Sequence, residues 1–392
     1  MTDLLGTAAE DRVGRHAGAP LGTPSLDTWQ DAPHNRWGLS HVEEFVPTAR
    51  IAHIRRDDSG HEAGASGLRM PGLRRRLEES YTDAFVVARG GEIVVEHYRD
   101  GFAPTDRHLL MSVSKSICGL LVGTIIDDGL IDPAYPIAGY VPALAGSAYG
   151  DATVQQVLDM TVDVDYDEDY RDPASHVQTQ DRVAGWRSRK AGDAADTYAF
   201  LTSLRGSGRH GRAFRYCSAG TDVLAWLVER VTGQPYADAV SERIWSQLGC
   251  TDDATITVDA NGCPFANGGI SCTARDLVRV GQLMLSGGSA RGTQVVSSGW
   301  VDDTLSGGDP ALAHGTTFQQ VHPKGSYRNQ WWSTGNERGN VYAIGIHGQF
   351  IWLDALTDTV IVKFSSWPEP VTEDRNRTHA QLFREVCEAL DA

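Results

Sequence analysis

The sequence predicts an α+β protein: one antiparallel sheet flanked by helices and built from both ends of the chain, with an all-helical domain inserted between them. Three observations carry this. Residues 84–89 and 92–98 are β-branched runs around Gly90-Gly91, the pattern of a two-residue hairpin. Residues 340–347, 350–354 and 360–364 repeat that pattern as a three-stranded meander, with Asp358 in its second turn. Between the two strand regions, residues 134–280 read as helical segments joined by loops. Strands at both ends with helices between them are most simply satisfied by one sheet and a helical insert.

The expected division is a polar lead-in over 1–30, an α/β domain from 31–135 with 285–392, and a helical domain over 136–284 that carries a substrate-binding loop. Residues 57–67 read as a loop, and 68–81 as a helix with Leu73, Leu77 and Tyr81 four apart. The apolar run after Ser112 predicts a helix ending near Asp127-Asp128-Gly129, with Asp132-Pro133 as a stop signal. Further helices are expected at 154–160, 197–204, 218–231, 273–286 and 374–390. Residues 163–190 stay polar and irregular while carrying Tyr166, Tyr170, Asp181 and Trp186. A loop of that length in a compact domain is usually functional or disordered, and its aromatics favour a binding loop.

Composition narrows the partners. A net charge of −16 over 392 residues excludes a nucleic-acid binder, which needs a basic face, and disfavours an anionic membrane surface. The longest apolar run, 117–126, is about half of what spans a bilayer. The first residues show neither a basic leader nor an apolar core. Six cysteines are scattered with no Cys-x-x-Cys pair and read as reduced thiols. The expectation is a soluble cytoplasmic protein, a monomer or homodimer, acting on a small molecule. Thirteen histidines show no His-x-His or His-x-x-x-His spacing, no phosphate-cradling glycine loop is present, and no Gly-x-Ser-x-Gly elbow occurs. No metal and no cofactor are expected.

The chemistry centres on Ser112 and Lys115. Three residues apart on a helix, they share a face within side-chain reach. An ammonium in an apolar run is relieved most cheaply by losing its proton, and a neutral amine beside a hydroxyl is a base beside a nucleophile. With four lysines in the chain, one serine three residues upstream of a lysine arises by chance in roughly one sequence in four. The pair therefore needs support from elsewhere. Tyr216, just before a helix opening at Ser218, could relay a proton to a leaving group, although a core tyrosine followed by a serine cap would look the same. Gly345 in an edge strand would let a backbone approach closely. The N–H groups of Ile346 and Ser112 would then form an oxyanion hole, the bland alternative being a bulge glycine.

The order and spacing of Ser112-x-x-Lys115, Tyr216-x-Ser218 and the Gly345 strand resemble the serine β-lactamase and penicillin-binding-protein fold, in its class C and esterase branch. The segments 108–116, 166–170, Gly185-Trp186-Arg187, 330–339 and 345–349 look like the 6-aminohexanoate-dimer hydrolases, which cleave a linear amide, and the resemblance runs from about Pro24 onward. It implies Ser112 as acylated nucleophile, Lys115 as its base and Tyr216 as proton relay. It further implies that Tyr170 hydrogen-bonds the substrate amide from a closing loop, that Asp181 faces an ammonium with Asn267 near by, and that Trp186 and Trp331 wall a methylene chain. Two departures matter: Tyr216-Cys217-Ser218 replaces Tyr-x-Asn, and Ala343-Ile344-Gly345 replaces Lys-Thr-Gly. The missing lysine removes the usual anchor for a β-lactam carboxylate, so penicillin hydrolysis is not expected. His347 reads as structural. The resulting expectation is a serine hydrolase of 6-aminohexanoate linear dimer that also cleaves short acyl esters. The alternatives are a carboxylesterase with little amide hydrolysis and a catalytically silent ligand-binding member of the fold.

Overall fold

The computed structural model describes residues 24–54 and 70–391. The hairpin forms as Thr82–Arg89 and Glu92–Tyr98, and Gly90 and Gly91 adopt φ values of 57° and 84°. A two-residue turn of this hand needs positive φ at both positions, which glycine supplies without strain. The hairpin forms one edge of a seven-stranded antiparallel sheet. In spatial order the strands are Glu92–Tyr98, Thr82–Arg89, Thr359–Ser365, Gln349–Asp354, Val341–Gly345, Trp331–Ser333 and Ser326–Arg328. The two ends of the chain meet where Thr82–Arg89 pairs with Thr359–Ser365, Val87 lying opposite Ile361.

Helices cover both faces, and the period of two in each strand assigns its side chains. Val86, Ala88, Val360, Val362, Ile351 and Leu353 enter one core with Ile117 and Leu121 of the Val113–Asp127 helix and Leu277 and Val280 of the Ala274–Leu285 helix. Phe85, Val87, Ile361, Phe350 and Trp352 enter the other, beneath Leu382, Phe383 and Val386 of the Glu373–Asp391 helix and Leu73 and Leu77 of the Leu73–Glu79 helix. Every residue of Thr359–Ser365 is buried, as a strand covered on both sides requires. The Val113–Asp127 helix is buried all round from Val113 to Ile125, which is why its sequence shows no polar face.

The inserted segment carries the expected helices Val154–Leu158, Thr197–Ser203 and Ser218–Thr232. It is not helical throughout. Ala254–Thr257 and Ile270–Cys272 join Thr48–Ile51 and His108–Leu109 in a second, four-stranded sheet. Strands of two to four residues are too short to display an alternation, so the sequence gives no sign of them. The stretch 163–190 also contains a helix, His176–Val183, started by the Ser175 hydroxyl accepting from Gln178 N–H at 3.3 Å. Residues 1–23 of the expected lead-in and the whole 57–67 loop lie outside the described residues. Residues 24–30 are no loose lead-in, because Trp29 is fully buried and donates its indole N–H to the Trp186 carbonyl at 2.9 Å.

Candidate active site

Ser112 caps the Val113–Asp127 helix, and Met111 before it has a φ of +49°. A non-glycine residue in that region stores strain, here at the residue that turns the chain into the helix and sets the Ser112 hydroxyl at the rim of a cavity. One turn on, Lys115 is 1 % exposed, and its Nζ donates to Ser112 Oγ at 2.9 Å and to the Asn267 carbonyl at 2.7 Å. Burial takes its ammonium down to about 8, against the opposing pull of Glu168 and Asp222.

Asn267 reaches the site through its backbone. Its side-chain amide and its N–H both donate to the buried Asp222 carboxylate, at 2.7 and 2.9 Å. Gln180 donates to the same carboxylate at 2.6 Å and accepts from Tyr166 at 2.5 Å. Burial pushes the Asp222 carboxyl up to about 7, while the hydrogen bonds from Asn267 work the other way. Lys115 thus sits at the end of a chain of buried polar groups that fixes where its nitrogen points.

Tyr216 closes the other side. It lines the same cavity as Ser112, its ring centroid is 5.3 Å from Lys115 Nζ, and it stacks on Trp332 with centroids 5.6 Å apart. Burial, then the charge of Glu168, drives the phenol above its ordinary range, so it keeps a proton to give. Glu168 is the hub of the neighbouring loop. One of its oxygens accepts from Tyr170 at 2.6 Å and from the Ser218 hydroxyl at 2.5 Å, and the other accepts from the Ser218 N–H at 3.0 Å. Ser218 therefore ties this loop to the helix it opens.

Gly345 needs its missing side chain, though for a different neighbour than the sequence suggests. A Cβ there would lie 2.5 Å from the Leu110 carbonyl oxygen and 2.9 Å from the Met111 Cβ. The strand presses on the segment that delivers Ser112, bringing Ile346 and Ser112 to the wall of one cavity. Nor is it an edge strand. Trp331–Ser333 pairs with it, but only at Val341 and Tyr342, which leaves Ala343 to Gly345 open on that side. An apolar slot of about 280 Å³ follows, lined by Ser112, Tyr170, Tyr216, Ile344, Gly345, Ile346, Phe318, Trp332, Tyr342 and Trp352 among others.

Both predicted wall residues, Trp331 and Trp186, sit elsewhere. Trp331 is 1 % exposed in the main core, and Trp332 reaches the slot, because neighbours on a strand point to opposite faces. Trp186 is also buried, packed on Trp29 and Phe265 with its N–H on the Thr257 hydroxyl at 2.9 Å, and it does not line the slot. Asp181 is buried on the His176–Val183 helix with Arg187 Nε 3.4 Å away. Burial pushes its carboxyl up to about 6 while Arg187 pulls it down. His347 is buried with Nδ1 2.8 Å from the Trp367 carbonyl, and burial lowers it to about 4. Glu168 and Asp222 escape sequence reasoning because their partners are about 50 and 45 positions away.

Among the described residues no cluster of three metal-ligating side chains occurs, no helix is long and apolar enough to cross a membrane, and the six cysteines are buried and unpaired.

The beta-lactamase family model matches residues 74–384. A 6-aminohexanoate-dimer hydrolase from Paenarthrobacter ureafaciens is 57% identical over 383 residues, covering 96% of this chain and 97% of that protein. The solved structure of a putative 6-aminohexanoate-dimer hydrolase from Bacillus anthracis superposes with a TM-score of 0.86 at 28% identity, over 95% of this chain and 98% of the other. A family VIII carboxylesterase shares the fold at a TM-score of 0.59 and 16% identity, over 82% of this chain and 97% of its own. With a family match over most of its length and a relative sharing more than half of its residues, the chain belongs to the beta-lactamase family.

Proposed function

We propose that this chain is a serine hydrolase that cleaves the amide bond of 6-aminohexanoate linear dimer through an acyl-enzyme, with a side activity on short acyl esters. The observation that carries it is the 2.9 Å contact between Lys115 Nζ and Ser112 Oγ at the rim of an apolar slot. Lys115 takes the Ser112 proton, Ser112 Oγ attacks the carbonyl, and the N–H groups of Ser112 and Ile346 receive the oxyanion. Tyr216 gives its proton to the departing amine and recovers one through the water that frees the acyl group. The substrate class comes from the 57%-identical relative and from the chemistry of the surroundings. Aromatic and aliphatic walls suit a methylene chain. With Lys115 neutral, the carboxylates of Glu168 and Asp181 outweigh Arg187, an environment that favours a substrate ending in ammonium over one anchored by carboxylate. Asp181 is proposed to act on that ammonium through the field it shares with Arg187, and Asn267 to act by holding Lys115. A reducing, cytoplasmic setting fits six unpaired thiols.

The test is turnover of the linear dimer and of p-nitrophenyl acetate by one preparation. Cleavage of both supports the proposal. Cleavage of the ester alone reduces the protein to an esterase, and cleavage of neither, with no labelling by a fluorophosphonate probe, makes it a binding member of the fold.

A further inference from the structure

Tyr170 lines the slot beside Ser112 and Tyr216, yet its hydroxyl already points at a fixed partner. Its O–H is 2.6 Å from Glu168 Oε1, and the Ser218 hydroxyl meets the same oxygen at 2.5 Å. Glu168 cannot swing away freely, because its second oxygen accepts the Ser218 N–H at 3.0 Å, at the opening of the Ser218–Thr232 helix. An ionised carboxylate accepts and does not donate. Tyr170 therefore spends its single proton on Glu168 and turns only lone pairs toward the slot. Burial and the charge of Glu168 keep the phenol protonated, so this arrangement persists at neutral pH.

We propose that Glu168 is a positioning residue that fixes the Tyr170 oxygen as an acceptor, so that the site selects scissile groups bearing an N–H over those that offer only oxygen. A secondary amide presents an N–H to that acceptor. An ester presents lone pairs to lone pairs and gains nothing there, and it cannot recruit the Tyr170 proton without breaking the bond to Glu168. This deepens the amide-hydrolase reading and rests on it for the choice of ligand. The selection itself is a binding property, measurable whether or not the amide is cleaved.

The experiment uses p-nitrophenyl acetate hydrolysis as reporter and two competitors, the 6-aminohexanoate linear dimer and the same dimer methylated at its amide nitrogen. In the wild type the parent should inhibit about threefold to tenfold more tightly than the N-methyl analogue, the worth of one hydrogen bond. In Glu168→Gln the side-chain amide can donate to Tyr170 and free its proton, and the ratio should fall toward one. Glu168→Asp, whose shorter carboxylate no longer reaches, should do the same if the glutamine variant does not fold. In Tyr170→Phe the ratio should also be near one. A wild-type ratio of one, or a ratio preserved in either Glu168 variant, overturns the proposal. A ratio preserved in Tyr170→Phe shows simple crowding by the methyl group and overturns it too. A parent dimer that competes with the expected ratio but is never cleaved leaves this inference standing and sinks the amide-hydrolase reading.

Discussion

The Asn267 carbonyl stands 2.7 Å from Lys115 Nζ, and Asn267 is itself held on Asp222 through both its N–H and its side-chain amide. The nitrogen of the proposed base is thus held by a backbone oxygen from 152 residues away in sequence. With the Lys115 ammonium brought down to about 8 by burial, the neutral, competent form grows as pH rises. The amide kcat/KM should climb through about pH 8 and level off above it. Replacing Asp222 by Asn removes a negative charge that favours the ammonium, so the Lys115 value falls and the acidic limb of the profile moves to lower pH. An acidic limb unmoved by that substitution would show that Asp222 does not feel Lys115.

Tyr216→Phe removes the proton for the leaving group and leaves the ring on Trp332. Amide turnover should drop by about 10²- to 10⁴-fold, as loss of a general acid does. p-Nitrophenolate departs without a proton, so ester turnover should fall far less. Equal losses on the two substrates would assign Tyr216 to binding or to Ser112 instead.

Trp331 and Trp332 give a paired prediction. Trp332→Ala opens the slot and should raise KM for the linear dimer severalfold with a modest change in stability. Trp331→Ala empties a core site and should cost about 3–5 kcal/mol in unfolding while leaving KM near the wild-type value. Denaturant melts and initial rates on the two variants separate the cases. The reverse assignment of effects would mean the strand presents the opposite face.

That pair also marks how far the sequence can be read. The hairpin, the meander and the Ser112 helix are legible because each has a period or a turn with a physical cause. Which of two adjacent tryptophans faces the site depends on register with Val341–Gly345, and the sequence does not display register. Glu168 sits in a motif the sequence makes visible, but its partner Ser218 is contributed by a helix 50 residues on. The apolar-lysine argument that singles out Ser112 and Lys115 applies equally to Lys363, which the structure buries completely in a central strand, away from the slot. An apolar neighbourhood identifies a buried lysine. Only the hydroxyl 2.9 Å away at the edge of a cavity makes Lys115 a candidate base.

Lys363 has a consequence for stability. Its Nζ contacts Ser365 and, at 3.4 Å, the Ser80 carbonyl, and burial lowers its ammonium from 10.5 to about 7, with Asp83 opposing. The unfolded chain holds that proton up to about pH 10, whereas the folded chain releases it above about 7. The destabilisation is therefore full below about pH 7 and fades as pH rises toward 10. Lys363→Met should raise the thermal midpoint, by more at pH 6 than at pH 9. A gain independent of pH would place the effect in packing alone.

The account turns on Ser112 carrying the acyl group of an amide substrate, and the direct measurement is the intact mass of the wild type mixed rapidly with 6-aminohexanoate linear dimer and quenched in acid, beside Ser112→Ala. The account predicts a single 6-aminohexanoyl adduct that maps to Ser112 by peptide digestion, with adduct and dimer cleavage both absent in the variant. Dimer cleavage that persists in Ser112→Ala, or an adduct on another residue, would contradict it.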